Sequence, residues 1–490
     1  MVAGAKRGLK GLVCSMRGGA GLPRMLLPTA TLLCLALAGL AVYWPVLDDF
    51  FVLDDFIWLQ AASNPSADDF FRDAFSFPTG TLFDAPTPFW RPLVDTYFYV
   101  TWRIFGDEPL PYHLLNLAIH VAVAGLTGLL ARTLMKSALV GVATALVFLT
   151  LPAYDFAVTW ISSVTELLAA MLYMLAVVLY ATSRRTADRR LYVAALGAFG
   201  LALLTKESAV TIPVALLIVA LATNFSEKEK ALVGLGRDLA PFGLLALAYF
   251  AFLFSEEYGP SADEGLYRFG WHVFDNLWDY LKALTLPVSP DRGVWVETLR
   301  PFTAAGFLVI CVLMAIRRDA IASALAVWVF VALLPYSFFS VGIGARYIYL
   351  ASIPFSMLVV YIGWLVTRSL DAMIGRRSTT IAVILLAAVV VLSAVETRHR
   401  QDLISGQAEV YRQLYQEVPT LCGELPPRAT IYVLNPPHLD PSRVSSPMAL
   451  NLEYDDVFVG LQRDGTLPAL AGFVQDRCVV RYVDGRYVLE

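Results

Sequence analysis

LLPTATLLCLALAGLAVYWPVLDDFFVLDDF, residues 26–56, runs from an apolar segment straight into four carboxylates. The apolar part is about as long as a helix needs to cross a bilayer, roughly 17–25 residues. Leu-Asp-Asp-Phe is then written twice, at 47–50 and 53–56. Asp48 and Asp49 read as a solvated edge where the chain enters water. Asp54 and Asp55 read differently, because aliphatic and aromatic residues close in on both sides in FVLDDFIWL. Adjacent carboxylates in a partly desolvated site repel, which raises the pKa of at least one. A carboxylate so placed can take a proton from an attacking hydroxyl.

Working outward, comparable apolar blocks recur near 112–134, 137–154, 164–181, 190–205, 207–224, 239–255, 302–316, 320–339, 347–366 and 379–395. The 490-residue chain is 58% hydrophobic and 16% charged, with a mean hydropathy of +0.62. Soluble domains average about 25% charged residues, so this is a polytopic α-helical membrane protein with about eleven spans. Segment 190–224 is too long for one crossing and is broken by Thr205-Lys206-Glu207-Ser208, which predicts a hairpin of two short helices. A net charge of −4 gives no indication of nucleic acid or any other strongly charged partner.

Lys and Arg clusters fall on alternate turns: Arg132/Lys136, Arg184 to Arg190, Lys228 to Arg237, Arg317-Arg318 and Arg368 to Arg377. Together with Lys6, Arg7, Lys10, Arg17 and Arg24, this bias places the N-terminus in the cytoplasm and reads the first span as an uncleaved anchor. The scheme is then a basic segment at 1–25, a transmembrane domain at 26–395 and an extracytoplasmic domain at 396–490. Outer loops at 47–110 and 256–301 interrupt the transmembrane part, and the second has the period of an interfacial helix. In the tail, 403–417 has a helical period, whereas ATIYVLNPP and CVVRYVDGRYVLE read as strands with a turn at Asp484-Gly485. This predicts a small α/β domain. Cys422 and Cys478 both lie in it, either bridged or as separate thiols.

The remaining polar residues gather on the same outer side. Arg91, in FWRPL, suits an anion. His113, Asn116 and His120 share one helical face, where hydrogen bonding between helices is the expected use. They are poor metal ligands, because i and i+7 lie about 10 Å apart along a helix. LPAYDFAVTWISSVTELLAA adds Asp155 and Glu166, the latter at the mouth of an apolar helix where a carboxylate must be paired or used. In LLTKESAVTIP, Lys206 and Glu207 either neutralise each other or serve a site, and Arg346 enters a span in IGARYIYLASIPF.

The order DDF, FWRPL, FG…P-YHLLNLAIH, P…W-IS…ELLAA, TKES…P and ARYIYL, across 47–360, resembles the GT-C glycosyltransferases. The nearest branch is that of the protein O-mannosyltransferases and the transmembrane-and-tetratricopeptide O-mannosyltransferases, here without the repeats. The resemblance implies an inverting transferase that moves a sugar from a polyprenyl-phosphate carrier to a protein, glycan or lipid acceptor on the non-cytoplasmic face of a bacterial cell membrane. It makes Asp54 and Asp55 the catalytic acidic pair and Asp155 and Glu166 the second acidic positions. Arg91, Lys206 and Arg346 are the cations that fit the lipid phosphate. No cofactor is required, and a divalent cation is not indicated. Leu151 and Asp155 replace the His and Glu of several relatives, and Ala345 replaces a frequent Glu. A glycan polymerase or ligase would share this topology. A lipid-carrier flippase should show two matched halves, which the sequence lacks.

Overall fold

The computed structural model describes residues 26–63, 65–75, 81–82, 85–86, 90–223, 230–253, 267–340, 344–375, 377–436, 457–462, 466–467 and 476–490. The basic segment 1–25 and the acidic stretch SEEYGPSADEG lie outside the described residues.

Helix α1 (Leu26–Tyr43) leads through a 3-10 turn into the first long loop, which holds α2 (Asp55–Ser63), α3 (Ala67–Phe75) and α4 (Pro92–Phe105). The chain re-enters the apolar bundle as α5 (Pro109–Met135) and α6 (Ala138–Thr150), turns through the short α7 (Asp155–Thr159), and continues as α8 (Val164–Thr186). A hairpin follows, of α9 (Arg189–Leu203) and α10 (Ile212–Thr223), and then α11 (Lys230–Leu253). The second long loop contains α12 (His272–Thr285). Helices α13 (Val294–Ile316), α14 (Ala320–Ser337), α15 (Tyr349–Ile374) and α16 (Arg377–Cys422) complete the helical part.

Nine helical segments among the described residues are long and apolar enough to cross a bilayer. They contain α1, α5, α6 with α7, α8, α11, α13, α14, α15 and α16. The short α9–α10 hairpin supplies the other two apolar blocks, so each of the eleven segments read from the sequence is helical. Their junctions follow local chemistry. Ser137 caps α6 by accepting from the Val140 N–H at 3.4 Å, and Asp319 caps α14 by accepting from Ala322 at 2.9 Å. Helices α5 and α6 cross where Gly128 faces Gly141. A Cβ on either would come within 2.6 or 2.7 Å of the other's carbonyl oxygen, so only glycine allows that approach.

Strands β1 (Thr430–Leu434), β2 (Phe458–Gln462), β3 (Arg477–Val483) and β4 (Arg486–Leu489) form one sheet in the order β2-β1-β3-β4. The first three are parallel and β3–β4 is an antiparallel hairpin. Its turn is at Asp484 and Gly485, with φ of 48° and 89°, as the Asp-Gly pair requires. Cys422 and Cys478 form a disulfide with Cα atoms 5.7 Å apart, tying the end of α16 to β3.

The boundary expected at 395/396 falls inside α16, a single helix of 46 residues. The sheet and the first loop also share one hydrophobic core, in which Phe51 and Phe56 are buried with Leu414, Val433 and Val480. Burying an aromatic side chain such as Phe56 is worth about 1.5–3 kcal/mol. The C-terminal part therefore buttresses the LDDF loop. It also corrects the reading of the first acidic pair. Asp48 is exposed, but Asp49 is buried and accepts from the Ser405 hydroxyl of α16 at 2.9 Å.

Candidate active site

The second LDDF is held in a bent conformation. Leu53 has φ of +52°, a left-handed backbone that costs a branched side chain energy and persists only when neighbours enforce it. Three bonds do so. The Val52 N–H donates to Asp55 Oδ2 at 2.9 Å, the Asp55 N–H donates to the Val52 carbonyl at 3.0 Å, and the Trp160 indole N–H donates to the same carbonyl at 3.2 Å. Asp55 is itself buried, and its Oδ1 accepts from both the backbone N–H of Ser162, at 2.7 Å, and the Ser162 hydroxyl. Burial pushes the Asp55 carboxyl up to about 7, although all these donors favour the ionised form. Asp54, one residue earlier, is half-buried, and its carbonyl accepts from Ile57 in the first turn of α2. The two carboxylates thus differ in kind: Asp55 is enclosed by donors and Asp54 is partly open.

The three cations expected at a phosphate site converge on the ends of α8, α9, α14 and α15. The Arg91 guanidinium holds the Glu207 carboxylate with two donors, at 2.9 and 3.1 Å. The Lys206 ammonium is buried and paired with Glu166, whose other oxygen accepts from the Tyr336 hydroxyl at 3.0 Å. Lys206 and Glu207 therefore do not neutralise each other; each reaches a different partner. Lys206 lies within electrostatic reach of Arg91, Glu166, Glu207 and Arg346, so these charges form one cluster.

Arg346 is held differently. Its guanidinium lies 4.5 Å from the Trp160 ring centroid and 5.0 Å from that of Tyr347, and donates to the Tyr347 hydroxyl at 3.1 Å. The Tyr347 ring stacks on Tyr336 at 4.9 Å, and the Lys206 ammonium sits over both rings. Among the described residues no carboxylate pairs with Arg346. Aromatic faces fix its position without cancelling its charge, which leaves that charge for an anion.

The other expected residues take separate places. Asp155 does not join Glu166. It faces Arg400 of α16 at 3.5 Å, in a network where Glu396 accepts from the Ser289 N–H at 2.6 Å and from Arg292 at 3.2 Å. That network ties α16 to the second long loop. His113, Asn116 and His120 are buried and bond between segments, as their shared face suggested. His113 contacts the Asp49 carbonyl at 3.2 Å and Asn116 donates to the Trp160 carbonyl at 3.2 Å. His120 lies 2.8 Å from the Tyr349 hydroxyl and 3.1 Å from the Leu149 carbonyl. Trp160, Ser162 and Tyr347 stand in the quoted W-IS and ARYIYL stretches but were assigned no role there, and Tyr336 escaped the sequence reading, since nothing local distinguishes these residues from apolar filling and loop residues. Trp160 and Ser162 also sit in the WISS turn between the two acids.

Over 93% of its length the chain superposes on ArnT from Cupriavidus metallidurans bound to undecaprenyl phosphate, covering 94% of that chain, with a TM-score of 0.54 and 13% identity. The apo ArnT structure gives 0.52 at 14% identity, over 93% of both chains. This chain has the GT-C fold. No protein-family model matches it. In sequence, 122 residues are 31% identical to the protein O-mannosyl-transferase Tmtc1 of Drosophila melanogaster, covering 25% of this chain and 14% of that relative. The chain thus spans a small part of the curated relative it matches. Within the GT-C fold, the cation cluster and the LDDF loop occupy the loops and helix ends on one face of the bundle.

Proposed function

We propose that this protein is a membrane glycosyltransferase that takes a sugar from a polyprenyl-phosphate carrier. Arg346 carries the reading: a cation fixed on two aromatic faces, beside two compensated ion pairs, suits the phosphate of a lipid-linked donor. The similarity to ArnT, solved with undecaprenyl phosphate, and the partial likeness to Tmtc1 support the same class.

In the proposed reaction, Asp54 accepts the proton of the acceptor hydroxyl while that oxygen attacks the anomeric carbon. The bond from that carbon to the phosphate oxygen breaks, and the phosphate leaves with the electron pair. Attack opposite the leaving group inverts the anomeric centre. Arg346 neutralises the charge that develops on the phosphate, which a fixed cation in a partly desolvated site does without reorganising. Lys206 and Arg91 are each paired with a carboxylate and so add hydrogen-bond donors rather than net charge, and Asp55 holds the loop. The alternating Lys and Arg clusters support transfer on the non-cytoplasmic face.

The test is direct. Purified protein is incubated with undecaprenyl-phosphate mannose and with other monophosphate-linked sugars, and release of undecaprenyl phosphate is followed against acceptor peptides, glycans and lipids. Sugar transfer with an inverted product is expected. Extension of a lipid-linked glycan would indicate a polymerase or ligase. Carrier movement across a vesicle membrane without transfer would indicate a flippase.

A further inference from the structure

Among the described residues, Trp160 contacts both halves of the site. It is buried at the C-terminal end of α7 with extended backbone, so its ring projects from a turn rather than from a helix face. The turn is pinned on both sides. Asn116 donates to the Trp160 carbonyl at 3.2 Å, and Ser162, two residues on, clamps Asp55. From this fixed position the indole edge donates to the Val52 carbonyl at 3.2 Å, while Arg346 lies over the ring 4.5 Å from its centroid. Val52 immediately precedes Leu53, whose left-handed backbone leads into Asp54. A tryptophan has the two features this placement needs, a single N–H donor in the ring plane and the strongest π face for a guanidinium.

We infer that Trp160 is a positioning residue that sets the distance between the general base and the phosphate-binding cation through one rigid ring. This inference rests on the glycosyltransferase reading above. Its edge holds the strained LDDF loop, and its face holds Arg346, so neither can shift without the other. Reactions of this kind are sensitive to such placement, because displacing a reacting group by about 1 Å can cost roughly a hundredfold in rate.

The two contacts can be removed separately. Trp160→Phe keeps a ring face for Arg346 but deletes the N–H, whereas Trp160→Leu deletes both. Three readouts on the full-length protein in nanodiscs separate the roles: turnover, affinity for undecaprenyl phosphate, and hydrogen exchange of the amides in 50–57. For Trp160→Phe we expect kcat to fall about tenfold or more, loop exchange to rise, and undecaprenyl phosphate affinity to stay within about twofold of the parent. For Trp160→Leu, affinity should fall as well, by about 3- to 30-fold. If Trp160→Phe leaves kcat and loop exchange unchanged, or lowers phosphate affinity as much as kcat, the positioning role is wrong even though the transferase reading stands. If the parent protein transfers no sugar, that reading fails on its own, and exchange and phosphate affinity still decide whether the ring couples the two segments.

Discussion

The Asp55 carboxylate and Ser162, 107 residues apart in sequence, are joined twice, by the Ser162 backbone N–H at 2.7 Å and by its hydroxyl. These two hydrogen bonds lock the loop after α1 to the turn before α8 and occupy one oxygen of Asp55. The other oxygen is held by Val52. An enclosed carboxylate is a fastening, and its half-buried neighbour Asp54 is the one proposed as the base.

Asp54→Asn keeps the size of the side chain and removes its basic oxygen. Turnover should fall about 10²–10⁴-fold, the usual contribution of a general base. Affinity for undecaprenyl phosphate should hold, because losing a negative charge near a phosphate does not weaken binding. Asp48→Asn, at the exposed position, should be nearly silent. Steady-state rates for both variants check this, and near-normal transfer by Asp54→Asn would reject Asp54 as the base.

Burial raises the carboxyl of Asp55 to about 7, that of Asp95 to about 7 and that of Asp49 to about 6. A carboxyl whose folded pKa lies above its unfolded value near 4 binds more protons when folded. Its contribution is fully present below about pH 4 and is lost as pH rises through the folded value. These groups should therefore make the protein less stable as pH rises from about 4 to about 7. Unfolding temperature measured across this range should show the decline, and Asp55→Asn should flatten it. An unchanged slope in that variant would mean that Asp55 does not titrate there.

Removing one partner of the buried Lys206–Glu166 pair leaves the other charge uncompensated, a loss of about 3–5 kcal/mol. Lys206→Met should therefore lower the unfolding temperature strongly, and adding Glu166→Gln should restore most of it. Undecaprenyl phosphate binding should remain weak in the stable double variant, because the ammonium is still missing. Full recovery of binding would make the pair structural only.

The Cys422–Cys478 disulfide closes a long segment of the C-terminal part and should stabilise it by about 2–4 kcal/mol. Cys422→Ser should expose the amides of β1 and β3 to faster hydrogen exchange than in the oxidised protein. Equal exchange in the two would show that the shared core alone holds the sheet.

The apolar helical segments were legible because they rest on local quantities. Apolar length, the interruption at Thr205 to Ser208 and the Asp484-Gly485 turn each act within a few residues. The eleven apolar segments and the hairpin strands followed from them. Strand β2 did not, since its five residues pair with β1 only after the intervening chain has brought them together. The site residues were legible as a set of types but not as partners. Lys206 looked matched to its neighbour Glu207, yet Lys206 has extended backbone and Glu207 begins a 3-10 helix. Their side chains therefore diverge, one to Glu166 and the other to Arg91. Asp49 looked like a solvated edge, and Ser405 buries it from 356 residues away. The sequence by itself determined the spans, the charge bias and the residues available for chemistry. Only the tertiary structure decided which charges are compensated and which carboxylate is enclosed, because burial and pairing depend on which helix ends meet.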